Sequence, residues 1–494
     1  MRKLWLFLLA AGVLLPRIYL VLKFRSALIE SDEAIVGLMA RHILKGEIPT
    51  FYWGQPYMGT LEPLAVAALF LLFGATPALL KVTSFLLFCG FLVCHYILAR
   101  ETFNERVAMM ATTLVGVSPA FLTSWSLKSR GGYLALLLLG TLALLLANRI
   151  LIRGYSLRRA VLLGIVLGLA WWTHFLAIVY IVPILLIILL KYRTQFFART
   201  TALATAFLLG GLPFWIYNFS HSMASLQFAG RRQTDFISDM RNFFGTAVPI
   251  FLGGRANWSR TDLFPASGPF VLLVFAICIG TLVWKRIARV RSADRRPSGR
   301  LSEMPMVSNP SGQDLLLVFV LCFLPLFSAS GFAWFVTEPR YLIPLYSAIY
   351  ILILGAFTKR AVQIGLLAIL LSLNLSATFL IKHEEFTGYT NVESNSELLD
   401  FLHRHQITRA YAPYWTAYRL TFESDEQIIC TPPDNDVVRY IPYLNMVKAA
   451  PDAAFIRLSA PRYQSMQVEL KPPKEFLSAN VASYQVFYPR SNEK

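Results

Sequence analysis

Apolar residues in this chain gather in runs long enough to cross a bilayer, and polar residues gather between them in short basic groups. Measured against the ~20 residues a helical span needs, the runs fall at about 4–22, 78–99, 106–124, 132–150, 159–173, 175–191, 200–217, 268–285, 314–335, 341–358 and 361–381. They predict an all-α polytopic membrane protein of about eleven transmembrane helices over residues 1–381. A polar tail follows, 382–494, where helix-like "SNSELLDFLHRHQ" alternates with strand-like "RAYAPYW" and "EQIIC", the pattern of a small α/β module. Two further apolar stretches, "EAIVGLMARHIL" and "LEPLAVAALFLLFG", lie in the long first loop, about 23–77, and are too short to span; they read as interfacial helices. The opening "MRKLWLFLLAAGVLLPRIYLVLKF" has the basic flank of a signal peptide but a longer apolar stretch, interrupted by Pro16 and Arg17, and is expected to stay as an anchor. Residues 291–312, rich in Ser, Arg and Pro, read as a flexible linker.

Composition agrees, since 56% of the 494 residues are hydrophobic and 15% charged, against roughly 25% charged in soluble domains. The net charge of +18 would suggest a nucleic-acid partner in a soluble chain. Here the Lys and Arg are spread over "MRK", "RETFNER", "RILIRGYSLRR", "KYRTQFFAR", "KRIARVRSADRRPSGR" and "TKR", which alternate with the spans. Positive loops stay cytoplasmic, so this charge sets topology: N-terminus inside, first long loop, 218–267 loop and tail outside, and no nucleic acid as partner. Of the five cysteines, Cys89, Cys94, Cys278 and Cys322 sit in apolar runs and Cys430 in the tail, so neither a disulfide framework nor a Cys-x-x-Cys metal site is implied.

The first outer loop begins with "IESDEAIVGLMARHIL", three carboxylates just beyond the first span. A carboxylate at mid-bilayer costs roughly 2.5–3.5 kcal/mol on insertion scales, which places these at the water boundary. Ser31 or Asp32 could cap the next helix and Glu33 complement its dipole, for about 1 kcal/mol. Neighbours on a helix diverge by about 100°, so Asp32 and Glu33 cannot both face one site; one can act as a base while the other supports it, with Glu30 left solvated.

An Asp-Glu pair after the first span, interfacial helices and many further spans resemble the GT-C superfamily of lipid-linked-sugar glycosyltransferases. The nearer likeness is to the branch holding protein O-mannosyltransferases and aminoarabinose transferases (glycosyltransferase family 39-like). It is carried by "SDEAIVGLMARHILKGEIPTFYWGQPYMGTLEPL" (31–64), "FGATPALLKV", and "TEPRYLIPLY" (337–346), over a topology spanning about 1–381. The resemblance implies transfer of a sugar from polyprenyl phosphate to a lipid, glycan or protein acceptor at the outer face of a bacterial inner (plasma) membrane. Asp32 would be the general base, with inversion at the sugar carbon, and such catalysis contributes about 10²–10⁴ in rate.

The leaving phosphate needs cations, each well-placed donor being worth about 2.7–4 kcal/mol. Lys128 and Arg130 in "SLKSRGGY", and Arg340 with Tyr341 in "TEPRY", stand at outer span ends, although Lys and Arg there also serve as snorkelling anchors. Gly131 and Gly132 would let the backbone approach a ligand. Relatives often carry Lys-Pro-Pro where this chain has Leu61-Glu62-Pro63, so a phosphate-binding Lys is missing there. Glu62 is either a second functional carboxylate or a dipole-favourable acid before Pro63. Their second outer loop often has a further acid, where this chain offers Lys128 and Arg130. Tyr57, among the aromatics of "FYWGQPYMG", and His174 beside Trp171 and Trp172 are candidate substrate contacts or interfacial packing.

A transporter or lipid-sugar flippase is the competing class, but it would carry ionisable groups deep in spans and paired halves, and Arg17 and Lys81 lie toward segment ends. The sequence names neither sugar nor acceptor; a divalent cation stays open as a cofactor, because one certain carboxylate is too few to argue for it.

Overall fold

A computed structural model describes residues 2–25, 29–227, 235–257, 259–294, 310–329, 339–382, 386, 394–459 and 470–490. The expected linker centre, the "GRRQTDF" stretch before Asp235, residues 330–335 and the Thr337-Glu338 start of "TEPRY" lie outside the described residues.

Among the described residues seven helices are long and apolar enough to cross a membrane, or eight if a pair bent by 68°, Phe196–Gly210 and Leu212–Ser220, is one span. These account for eight of the eleven expected segments. The other three are broken or shorter: Glu105–Gly116 with Ala120–Trp125, the 17-residue Leu157–Thr173, and a 3-10 turn Pro339–Ser347 with Ile349–Gly355. Pro119 and Pro344 supply the reason for two breaks, since proline gives no backbone N–H to a helical ladder.

The first helix, α1 (Arg2–Lys23), leaves Leu4, Phe7, Leu8, Leu15 and Leu22 exposed, an apolar face fit for lipid. Its Arg17 points inward, where Nε donates to Ser126 Oγ (2.8 Å) and Nη1 to the carbonyls of Val13 (2.8 Å) and Gly116 (2.9 Å). A buried guanidinium is thus tolerated because its donors are satisfied. Elsewhere Gly164 and Gly168, four residues apart, let the Leu157–Thr173 helix meet the Phe196–Gly210 helix backbone to backbone. A Cβ at Gly168 would stand 2.2 Å from the Phe207 carbonyl, the small-residue contact typical of membrane helices.

The first loop contains α2 (Ser31–Leu44), a hairpin of β1 (Phe51–Tyr52) and β2 (Gln55–Gly59), and α3 (Leu61–Phe73), which leads into α4 (Pro77–Thr102). The hairpin, turning at Trp53-Gly54 with Gly54 at φ +66°, is an element the hydrophobic pattern did not announce. Helix α2 is also packed into the protein: Ala34, Ile35, Val36, Leu38, Met39 and Ala40 are all fully buried. Its cap also differs from expectation, because the N-cap residue is Glu30, without a side-chain cap hydrogen bond, and Ser31 Oγ donates instead to the Tyr414 carbonyl (2.6 Å).

The tail forms a five-stranded sheet, β4-β3-β5-β7-β6, from β3 (Arg409–Tyr411), β4 (Ile429–Thr431), β5 (Ala454–Leu458), β6 (Leu477–Val481) and β7 (Tyr484–Tyr488). Strand β3 is parallel to β4 and β5; β7 is antiparallel to β5 and β6. The strand-like "RAYAPYW" is strand only to Tyr411, since Pro413 stops the ladder and opens the helix Tyr414–Glu423. That helix packs on α2. Tyr418, Phe422, Tyr443 and Val447 share one apolar cluster with Ile35, Leu38 and Met39, so a hydrophobic core runs across residue 382. At about 1.5–3 kcal/mol per fully buried large side chain, this contact holds the module firmly on the first loop.

Candidate functional site

The acids of the first loop separate as helix geometry requires. Asp32 turns to a small cavity of about 60 Å³, while Glu33 turns away and pairs with Lys81 of α4, Nζ to Oε1 at 2.5 Å, with both side chains buried. Glu30 was expected to be solvated. It is instead 2% exposed, with an oxygen 2.5 Å from Arg130 Nε and 4.0 Å from Lys128 Nζ. The correction has a physical cause: the loop 126–132 brings two cations behind α2, and an acid is needed between them.

The cavity is lined by Asp32, Tyr52, Gln55 and Tyr57 from the first loop, by Arg130 and Tyr133, and by Arg340 and Tyr341. Met58 and, from the tail, Arg439 complete it. Arg130 Nη2 donates to Asp32 Oδ2 at 2.9 Å, and Tyr414 Oη donates to Asp32 Oδ1 in a short hydrogen bond. The Tyr52 hydroxyl donates to the Asp32 backbone carbonyl (2.6 Å), fixing the first turn of α2. Arg130 lies 5.1 Å from the Trp125 ring and 6.0 Å from the Trp415 ring, held between aromatic planes. Arg439 Nε donates to Tyr414 Oη (3.3 Å). With its amide oxygen turned toward them, Gln55 accepts from both Arg439 amino groups (2.8 and 2.9 Å) and from Tyr57 Oη (3.1 Å).

These contacts set the charge states. Burial opposes ionisation of Asp32, but Arg130, Arg439, the Tyr414 hydrogen bond and Arg340 together outweigh it and hold its carboxyl below the usual range. Burial raises Glu30, against the pull of Arg130 and Lys128. The Tyr414 hydroxyl is pushed far up by burial and by the Asp32 charge, so it stays a donor.

Of the other residues singled out in the sequence, Arg130, Arg340, Tyr341 and Tyr57 line the cavity with Asp32; Lys128, Glu33, Glu62 and His174 do not. Lys128 stands behind, toward Glu30, where burial lowers its pKa. Glu62 Oε2 accepts from the Gly132 N–H at 2.6 Å, beside the start of the Tyr133–Arg153 helix, and burial pushes its pKa up to about 7. Gly131 and Gly132, at φ +75° and +88°, bring the backbone against Met58 and Thr173 rather than to open space. His174 packs on Tyr133 and Tyr57 (4.9 and 5.8 Å between rings), its Nδ1 accepts from Leu176 N, and burial lowers its pKa to about 3. It is a neutral packing group. Among the described residues no cluster of three His, Cys, Asp or Glu has the spacing to hold a metal ion.

Sequence reasoning missed Tyr52, Gln55, Tyr133, Tyr414 and Arg439. Two of these come from the tail, some 400 residues from Asp32, and only the packing of the Tyr414–Glu423 helix on α2 brings them there.

No known family profile and no curated protein sequence matches the chain. Among solved structures it is similar to ArnT from Cupriavidus metallidurans in the apo state, at TM-score 0.64 and 13% identity over 99% of this chain and 98% of that one. It is similar to the same protein bound to undecaprenyl phosphate at TM-score 0.62, 12% identity and the same coverage. A fainter likeness, TM-score 0.48 and 14% identity over 92% of this chain and 69% of the other, is to the apo oligosaccharyltransferase of Archaeoglobus fulgidus. The chain is thus a polytopic membrane protein with a C-terminal sheet module, and it shares the fold of ArnT.

Proposed function

We propose that the chain is an integral-membrane glycosyltransferase that takes a sugar from a polyprenyl-phosphate donor and transfers it to an acceptor hydroxyl. In this reading residues 1–381 are the catalytic body, 382–494 are an extracytoplasmic module, and the site opens on the outer face of a bacterial inner membrane. The observation that carries the reading is the charge of the Asp32 cavity. Three guanidinium groups, Arg130, Arg340 and Arg439, line it with one carboxylate, Asp32. Behind it, Glu30 lies 2.5 Å from Arg130 Nε and 4.0 Å from Lys128 Nζ, and Glu33 pairs with Lys81. A lining this rich in guanidinium groups is suited to an anion.

The chemistry follows from that lining. A polyprenyl-phosphate sugar is a phosphodiester with one negative charge, and the polyprenyl phosphate it leaves behind carries up to two. The arginines therefore attract the departing group more strongly than the bound donor, which is how a site lowers a barrier rather than merely binding. Asp32 takes the acceptor's proton, the acceptor oxygen forms a bond to the anomeric carbon, and the bond from that carbon to the phosphate oxygen breaks with its electron pair on the phosphate. Attack opposite the leaving group inverts the sugar carbon. Ground-state Asp32 is a weak base because Arg130 and Arg439 hold its charge. A donor phosphate that draws on the same arginines restores its basicity. The ArnT structure bound to undecaprenyl phosphate supports a polyprenyl phosphate as the lipid.

The test is purified protein with radiolabelled polyprenyl-phosphate sugars, followed both for label in acceptor and for lipid or solute flux in vesicles. Label transfer with release of polyprenyl phosphate is the expected result. Flux without turnover of any such donor would replace this reading with a transporter or flippase.

A further inference from the structure

We propose that the C-terminal module is part of the reaction centre, with Arg439 binding the donor's phosphate and Tyr414 positioning Asp32. The inference rests on the donor reading above. Its first support is geometric: the Arg439 guanidinium lines the same cavity as Arg130 and Arg340 but is delivered by the tail, some 300 residues after Arg130. Its second is the way that guanidinium is held. Both amino groups face the Gln55 amide oxygen and Nε faces the Tyr414 hydroxyl. These are neutral partners, and among the described residues the carboxylate whose charge acts on Arg439 is Asp32, which Arg130 also contacts at 2.9 Å. A planar fork with neutral neighbours beside a cavity is suited to two oxygens of a phosphate.

The third support is size. The cavity of about 60 Å³ compares with the roughly 300 Å³ at which small-molecule pockets begin, so it is on the scale of a phosphate group. Arg439 is part of the cavity wall, and the Tyr414 hydroxyl joins it to Asp32. The docked module sets Arg439 beside the phosphate position and Tyr414 on Asp32 Oδ1, while Oδ2, which Arg130 also contacts, takes the acceptor's proton. Tyr414 is buried against α2 through the Ser31 hydroxyl on its carbonyl, so its ring is aimed rather than free to rotate away. Because a hydrogen bond to the carboxylate favours its charged form, Tyr414 also tunes the pH at which Asp32 can accept a proton.

The experiment uses the full chain in micelles and measures binding of polyprenyl phosphate itself, then sugar transfer across pH, for wild type, Arg439→Ala, Arg439→Lys and Tyr414→Phe. Arg439→Ala should weaken polyprenyl-phosphate binding by about 10- to 100-fold, the range of one charge-assisted contact, with Arg439→Lys between it and wild type. Tyr414→Phe should lower kcat and move the acid limb of the pH profile upward. Binding by Arg439→Ala and Arg439→Lys within about 2-fold of wild type, or a Tyr414→Phe profile with an unmoved acid limb, would overturn the inference while leaving the donor reading intact. Wild type that binds no polyprenyl phosphate would overturn the donor reading and this inference with it. Should Arg439→Ala fail to fold, Arg439→Lys decides alone.

Discussion

The pair Lys81–Glu33 offers the sharpest energetic test of how α2 is held. Lys81 Nζ stands 2.5 Å from Glu33 Oε1, with side chains 6% and 2% exposed. At an effective dielectric of about 20, unit charges at this distance attract by roughly 7 kcal/mol, and desolvation of the two ions offsets several of these. The pair as a whole is therefore near break-even, whereas either ion alone is stranded. Lys81→Met and Glu33→Gln should each destabilise the protein by about 3–5 kcal/mol, and the double variant by much less than their sum. The assay is reversible denaturant unfolding in mixed micelles for the wild type, both single variants and the double. Because Asp32 is the residue before Glu33, the single variants should also lose transfer activity as α2 shifts, and the double should recover part of it. Single variants within about 1 kcal/mol of wild type, or a double variant whose loss equals the sum, would refute the view that this pair fixes α2 on α4.

Three further outcomes follow from the same geometry. Burial raises the Glu62 carboxyl from 4.5 to about 7, so the folded state favours the protonated acid; the resulting stabilisation, at most about 3 kcal/mol, is complete below pH 4.5 and lost as pH rises through 7. Glu62→Gln should flatten the melting temperature over that window, and an unchanged slope would contradict the assignment. At the seam between α2 and the module, burial opposes protonation of His42, but Glu426 and Glu47 outweigh it and raise its pKa, while burial of Glu426 is outweighed by His42, Tyr443 and Lys45, which lower that carboxyl to about 2. The His42 contribution is present below pH ~6.5 and fades above its raised pKa, and that of Glu426 is present above ~4.5 and fades toward 2, so docking should be tightest between about 4.5 and 6.5. Both groups are part-exposed, so each contributes less than about 1 kcal/mol, readable as amide hydrogen exchange in the Tyr414–Glu423 helix; exchange that ignores pH would contradict it. Finally, a Cβ at Gly37 would stand 2.4 Å from Phe422 Cε2, so Gly37→Ala should destabilise by about 1–3 kcal/mol and lower transfer by displacing Tyr414; wild-type melting and activity would count against the seam as described.

The membrane body was legible because bilayer-length apolar runs and basic connections are local signals, readable in "LWLFLLAAGVLL" or "YLALLLLGTLALLLANRI" without any tertiary knowledge. Helix breaks at Pro119 and Pro344 lay within such runs and were masked by their hydrophobicity. Asp32 and Arg130 could be singled out because charge beside a span is expensive and needs a reason. Glu30 was misread because exposure was inferred from sequence position, while the ion pair that buries it comes from a loop 100 residues away. Tyr414 and Arg439 carried no local signal at all; a tyrosine after a proline and one arginine in a polar tail are ordinary until the fold stacks them on α2.

The central claim is that Asp32 removes the acceptor's proton in a polyprenyl-phosphate-dependent sugar transfer. Single-turnover transfer from a radiolabelled polyprenyl-phosphate sugar, comparing wild type with Asp32→Asn at saturating donor, tests it most directly. Loss of the general base should slow the chemical step by about 10²- to 10⁴-fold while polyprenyl-phosphate binding is retained or tightened, since one negative charge leaves a cationic cavity. Transfer by Asp32→Asn at the wild-type rate would contradict the claim.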